Sequence, residues 1–266
     1  MSENARVDRG DAVLSARGVS RCFGGLTAVC EFDLDLFAGE IVGLIGPNGA
    51  GKTTVFNLLT GVYEPTRGNI SVRGRDIGRM KPDGIAGLGV ARTFQNIRLF
   101  RDMTVLENVK VGCQPRRRQS LLGALVRSKH FRAEEAAFER EALDLLEMMG
   151  LSEVRGVQAG ALAYGQQRRL EIARALAGRP KILLLDEPAA GANERESADL
   201  QALIREIRAR FDLTILVIEH DMPFVMGLVA RLLVLDHGET IARGTPEEVR
   251  AHPKVIEAYL GQEAAK

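Results

Sequence analysis

No apolar run in this 266-residue chain approaches the roughly 18 to 20 residues that a membrane-spanning helix needs. The longest candidate, Phe224 to Leu235, is too short and is broken by Arg231. The first ten residues are polar and lack the apolar core of a signal peptide. Charge imbalance is also missing: the formal net charge is +1, whereas nucleic-acid binders usually carry a marked basic excess. Cysteine is scarce, and Cys22, Cys30 and Cys113 form no metal-spaced pair, which predicts reduced, buried thiols in a cytosolic protein. No internal repeat or low-complexity segment occurs. These absences argue against a membrane span, a nucleic-acid partner and a duplicated unit. What is present, 45% hydrophobic and 27% charged residues, suits a globular chain able to bury a sizeable core.

From Val13 to Gly46 the pattern predicts strands. Phe32, Leu34 and Leu36 alternate with Asp33 and Asp35, the period of a half-buried strand. Glu40 to Ile45 reads as a short strand entering a glycine-rich turn, followed by a helix over Thr53 to Leu59. Asn69 to Val72, between Gly68 and Gly74, reads as another strand. From Thr104 to Gly150 the apolar positions Leu106, Val109, Leu143, Leu146 and Met149 recur at helical spacing, predicting a helical insert. Its basic stretches, Pro115 to Arg118 and Arg127 to Arg132, fit a solvated surface or contact with acidic lipid head groups. Lys181 to Leu185 and Leu213 to Ile218 are strands of the buried type, separated by a helix over Glu194 to Arg210. That order implies a parallel sheet with crossover helices. Val229 to Leu235 and Glu239 to Ala242 predict a hairpin, and Thr245, Pro246 and Glu248 a capped helix start.

Gly46-Pro47-Asn48-Gly49-Ala50-Gly51-Lys52-Thr53 matches the phosphate-binding loop pattern at every position. A strand precedes it and a helix follows. Its glycines let the backbone wrap closely, so that N–H groups and the helix N-terminus face an anion. Lys52 is expected on the β- and γ-phosphates, Thr53 supplies a hydroxyl for Mg²⁺, and Thr54 completes the cradle. Ile182 to Leu185 would deliver Asp186 to the phosphate end of the sheet, where it can hold the Mg²⁺ shell. Glu187 is then placed to polarise the attacking water as general base.

Leu162-Ala163-Tyr164-Gly165-Gln166-Gln167, ahead of Arg168 to Leu176 and the Asp186-Glu187 strand, resembles the signature of ABC-transporter ATPases. A glycine turn opening an amphipathic helix could offer its N-terminus to a second phosphate group. The resemblance implies that Ala163, Tyr164, Gly165 and Gln166 complete the ATP site of an opposite subunit, in a head-to-tail dimer. It implies that Gln95 reaches Mg²⁺ and the attacking water, and that His220 touches the γ-phosphate. Phe23 sits where these ATPases stack an aromatic on adenine, a core position being the alternative. His130, His237 and His252 match no motif and read as surface or turn residues. Three features depart from the family pattern: Ala163 in place of serine, Tyr164 in place of glycine, and Ala192-Asn193 in place of leucine and aspartate.

The implied fold class is α/β: a P-loop NTPase (RecA-like) core with an antiparallel β subdomain and an inserted α-helical subdomain. A single domain is expected over 11–262, with its core at about 11–95 and 166–236, the helical insert at about 96–165, a C-terminal hairpin and helix at about 237–262, and flexible tails at 1–10 and 263–266. The similarity is greatest to the ATPases of branched-chain (hydrophobic) amino acid uptake systems, on the signature through Arg174, on Ala91 to Gln95, on Ile218 to Met222 and on Tyr259-Leu260-Gly261. Urea and short-amide importers carry similar ATPases; exporters and lipid-extraction systems are more distant alternatives. The family implies ATP and Mg²⁺, transmembrane permease subunits, a second cassette in a heterodimer, and indirectly a periplasmic or extracellular solute-binding protein. It places the chain peripherally on the cytoplasmic face of the inner (plasma) membrane.

Overall fold

The computed structural model describes residues 11–116 and 129–263. The expected tail at 1–10, residues 264–266 of the other, and residues 117–118 and 127–128 of the two basic stretches lie outside them. Among the described residues no helix is long and apolar enough to cross a membrane.

The alternation at 32–36 has a direct structural meaning. Phe32, Leu34 and Leu36 are buried on one face of β2 (Leu26–Leu36), which pairs antiparallel with β1 (Leu14–Phe23). With β4 (Arg67–Val72) and the two-residue β5 (Arg75–Asp76) they form a four-stranded sheet of order β2-β1-β4-β5. A second sheet has the order β10-β9-β3-β8-β7-β6. In it β3 (Ile41–Ile45), β8 (Thr214–Ile218), β7 (Ile182–Asp186) and β6 (Val90–Arg92) run parallel. β9 (Arg231–Asp236) is parallel to β3, and β10 (Glu239–Gly244) closes the edge as the antiparallel partner of β9.

The continuous apolar runs of β7 and β8 follow from burial on both faces. Leu183, Leu185, Ile215 and Val217 join one hydrophobic cluster, with the helices Tyr164–Ala177 and Glu194–Phe211. Ile182, Leu184, Leu216 and Ile218 join the other, against the first helix (Lys52–Leu59) and the antiparallel sheet. All these parallel strands end at the same edge, where ligands bind in open α/β sheets.

The helical insert contains Val105–Gly112 and the long helix Lys129–Met148. Val105, Val109, Phe138, Ala142, Leu146 and Met149 share one core cluster with Leu170 and Ala173 of the helix Tyr164–Ala177. That helix therefore crosses the expected boundary at 165/166 and packs with the insert. Gly165 also lies inside its first turn rather than in a preceding turn, because extended Ala163 is the N-cap. The expected capping box of Thr245 with Glu248 is present, and the helix expected from Glu194 opens on a second one, Asn193 with Glu196, that the sequence reading did not include.

Glu141 of the long helix ties the insert to the chain around it. It accepts from Arg116 Nη1 at 2.7 Å and from Arg179 Nε and Nη2 at 2.9 and 3.0 Å. Burial pushes this carboxyl up, but the two guanidinium groups outweigh burial and hold it below the usual glutamate range. A depressed folded-state value gives stability that is present above the unfolded value of about 4.3 and is lost as pH falls through the folded value. Glu141→Ala should lower Tm at pH 7, and its gap to the parent protein should close as pH falls below about 4. Thermal melts across that range measure it; an undiminished gap in acid would mean the side chain acts by packing alone.

Candidate active site

The phosphate-binding loop runs from the end of β3 to Lys52. Gly51 caps the first helix at φ 101°, and a Cβ there would come within 2.5 Å of the Ala28 carbonyl oxygen, so only glycine fits. The loop is pinned from the β9–β10 turn, where the Gly238 N–H donates to the Ala50 carbonyl at 3.0 Å. Lys52 is buried, and its Nζ donates to the carbonyls of Gly46 (2.6 Å) and Pro47 (2.8 Å). Burial lowers its pKa, opposed by the nearby carboxylates of Glu187, Asp186 and Glu219. Thr53 is exposed and Thr54 half-buried in the first helical turn.

β7 delivers Asp186 and Glu187 to this loop. Asp186 is buried, and its Oδ2 is paired with Arg92 Nη2 at 2.7 Å. Arg92 also donates to Asn57 Oδ1 at 2.7 Å, with its guanidinium 5.0 Å from the Phe94 ring centroid and 5.3 Å from that of Phe56. Glu187 takes a left-handed backbone conformation (φ 46°), which non-glycine residues seldom adopt outside strained or functional positions. Its Oε2 accepts from Gln95 Nε2 at 3.0 Å and lies 3.7 Å from His220 Nδ1. Gln95, Glu187 and His220, 125 residues apart at their extremes (220 − 95), thus converge on one carboxylate.

The signature residues are not brought to Lys52. Ala163, Tyr164, Gly165 and Gln166 line a separate cavity of about 440 Å³ with Pro188, Ala190, Gly191 and Ala192. Gln166 Oε1 accepts from the Ala163 N–H at 3.3 Å, the half of a capping box its side chain can make. Alanine offers no return acceptor, so the first-turn N–H groups keep their bonding capacity for another anion. Phe23 is exposed at the end of β1 rather than in the core, edge-on to Tyr63 at 5.1 Å, with the Arg21 guanidinium 4.6 Å from its ring centroid. A cavity of about 790 Å³ between Phe37, Arg208 and Thr245 shares no lining residue with any of these groups.

Several residues here had no expected role. Arg168 Nη1 donates to the Phe94 carbonyl at 3.0 Å and Nη2 to the Gln95 carbonyl at 3.4 Å and to Tyr164 Oη at 2.9 Å. Glu171 Oε1 accepts the N–H groups of Phe94 and Arg98, each at 3.3 Å. Burial raises the Glu171 carboxyl, against those N–H groups and Arg168. The signature helix thereby grips the Gln95 loop from both ends. The available signal was an Arg-x-x-Glu pair on the apolar side of an amphipathic helix. Glu219, immediately after the apolar strand β8, is fully buried and accepts from the N–H groups of Ala189 (2.8 Å) and His220 (3.1 Å).

For Mg²⁺, the donor set fits. Thr53 supplies a hydroxyl, Asp186 a carboxylate and Gln95 an amide oxygen, all hard oxygen donors. Mg²⁺ keeps few protein ligands and shares the substrate's phosphates.

Comparison with known proteins covers nearly all of the chain. Residues 29–190 match the family model described as ABC transporter, and 239–265 match one described as branched-chain amino acid ATP-binding cassette transporter. The chain is 49% identical over 250 residues to the high-affinity branched-chain amino acid transport ATP-binding protein LivG of Escherichia coli, covering 94% of this chain and 98% of that protein. It is 47% identical over the same length to BraF of Pseudomonas aeruginosa, of the same description. A crystal structure of the ADP conformation of an ATP-binding cassette of an ABC transporter superposes with TM-score 0.83 at 32% identity, covering 95% of this chain and 100% of that one.

Two substitutions test the geometry. Arg92→Ala leaves the Asp186 carboxylate buried without its counter-ion and should cost about 3–5 kcal/mol in urea unfolding. Ala163→Ser gives the signature helix the missing cap acceptor and should add about 1 kcal/mol by the same measurement.

Proposed function

We propose, from the premise that the chain belongs to the ABC transporter ATP-binding family, that it is the ATP-hydrolysing subunit of an importer of branched-chain or hydrophobic amino acids. The ATPase activity is the family's. The solute class rests on the LivG and BraF relatives and on the match over 239–265. The observation that carries the catalytic assignment is the convergence of Gln95 and His220 on the Glu187 carboxylate, beside buried Lys52.

ATP would lie with its phosphates over Gly46–Thr54, Lys52 on the β- and γ-phosphates, and its adenine against Phe23. Thr53, Asp186 and Gln95 would hold Mg²⁺, which would supply charge neutralisation at the phosphates. A second cassette, a different chain in a heterodimer, presents its signature residues to this site, and Ala163 to Gln166 here face the partner's nucleotide. Glu187 takes the proton of the attacking water; Gln95 orients it and His220 contacts the γ-phosphate. Closure shifts the Gln95 loop and, through Arg168 and Glu171, the helical insert. That movement drives permease subunits fed by a solute-binding protein, with this chain at the cytoplasmic face of the membrane.

Glu187→Gln should bind ATP with unchanged affinity, accumulate as a nucleotide-trapped dimer on size exclusion, and release phosphate at least about 100-fold more slowly. Normal turnover would sink the catalytic assignment. In cells whose only copy carries this substitution, uptake of labelled leucine should be lost and that of labelled urea retained; the reverse pattern would move the chain to the amide importers.

A further inference from the structure

Two segments that flank the candidate catalytic carboxylate are distant in sequence, yet one side chain holds both. Glu219 is the first residue beyond β8 and is 0% exposed. Its Oε1 accepts the Ala189 N–H at 2.8 Å, on the loop that follows Glu187. Its Oε2 accepts the His220 N–H at 3.1 Å and lies 3.7 Å from His220 Nδ1. The same Nδ1 is 3.7 Å from Glu187 Oε2, so the imidazole stands between two carboxylates. The register explains the meeting: Asp186 pairs with Ile218, which puts the residues following each strand side by side.

A buried carboxyl is among the costliest groups to seal inside a protein. Burial holds the Glu219 carboxyl above the usual glutamate range, opposed in part by the N–H groups of Ala189, His220 and Asp221 and by the His220 ring. N–H donors face both oxygens, which suits the acceptor-only carboxylate; a protonated acid would set an O–H against an N–H. Ala189 is flanked by Pro188 and Ala190, which line the same cavity as the signature residues Ala163 to Gln166.

We propose that Glu219 is a positioning residue for hydrolysis: its carboxylate joins the loop after Glu187 to His220, so that movement of that loop re-aims the imidazole at the γ-phosphate. The inference rests on the ATPase reading above, because His220 acts there on the phosphate. It adds a route by which occupation of the signature cavity reaches the hydrolytic centre of the same chain, through Pro188–Ala190, Glu219 and His220 in turn.

The test is a double-mutant cycle in the full-length chain with Mg-ATP. Glu219→Gln keeps the volume but sets an amide N–H against one of the two backbone donors. It should lower kcat roughly 10- to 100-fold, with KM for ATP changed by less than about twofold. Placed in a His220→Ala background, the same substitution should add less than about twofold, because its effect passes through the imidazole. Independently of turnover, the imidazole NMR resonances of His220 should move in Glu219→Gln without nucleotide, while those of His237 in the β9–β10 turn stay fixed. A folded Glu219→Gln with wild-type kcat, or with the same further loss of rate in the His220→Ala background, overturns the proposal. If Glu219→Gln does not fold, Glu219→Asp, which keeps the charge and shortens the reach, is read by the same NMR comparison, and unmoved His220 resonances overturn the proposal. A chain that fails to hydrolyse ATP while its His220 resonances respond to Glu219 would defeat the ATPase reading and leave the link intact.

Discussion

The cost of taking charge out of water at the carboxyl edge of an apolar sheet governs the rest of this structure. Lys52, Asp186 and Glu219 are all buried there, between strands made almost entirely of leucine, isoleucine and valine. An ion sealed in such a place without partners would be driven to its neutral form or would unfold the edge. Each of the three is answered differently. Lys52 meets loop carbonyls, Asp186 meets Arg92, and Glu219 meets backbone N–H groups of two segments. Partners fixed this tightly also fix the loops that carry them, so the preorganised geometry around Glu187 is a by-product of solvation.

The same logic recurs one step away from the chemistry. Glu171 and Arg168 are buried in the signature helix, and their bonding groups are satisfied largely by the backbone of Phe94, Gln95 and Arg98. The loop bearing Gln95 therefore follows the signature helix, and the loop after Glu187 follows the segment bearing His220. Both arrangements use a carboxylate on one element to hold N–H groups on another. Such contacts are stiff while intact and costly to leave half-made, which favours movement of linked loops as units.

What the sequence revealed and what it hid divide along one line. The phosphate loop, the strand carrying Asp186 and Glu187, and the capping box at Thr245 are contiguous, and their meaning lies in local spacing and period. The pairs Arg92 with Asp186, Arg168 with Phe94, and Glu219 with Ala189 span 94, 74 and 30 residues, and no local pattern names the partner of any of them. Arg92 and Glu219 each lie inside a recognisable motif that assigns them no role. Their partners become visible only when parallel register sets β6, β7 and β8 side by side. The helix boundary near 165 was hidden for a related reason. Residue type predicts where a helix starts, but whether its face packs on the sheet or on the insert is decided by helices that begin 59 and 35 residues before Tyr164 (164 − 105 and 164 − 129).

The separation of the two phosphate-facing surfaces has a physical consequence of its own. The first helix begins with N–H groups beside Lys52, and the signature helix begins with N–H groups that alanine at its N-cap leaves uncapped by a side chain. The two starts share no cavity lining. A helix N-terminus carries partial positive charge that an anion satisfies best. One chain thus offers two such ends, and only one has the carboxylate, amide and imidazole needed to act on a phosphate. On the reading proposed above, the other end serves a partner's nucleotide, and the loop whose Pro188, Ala190, Gly191 and Ala192 line it is bonded through Ala189 to Glu219. The end without chemistry is therefore mechanically continuous with the end that has it, and that continuity lies within a single chain.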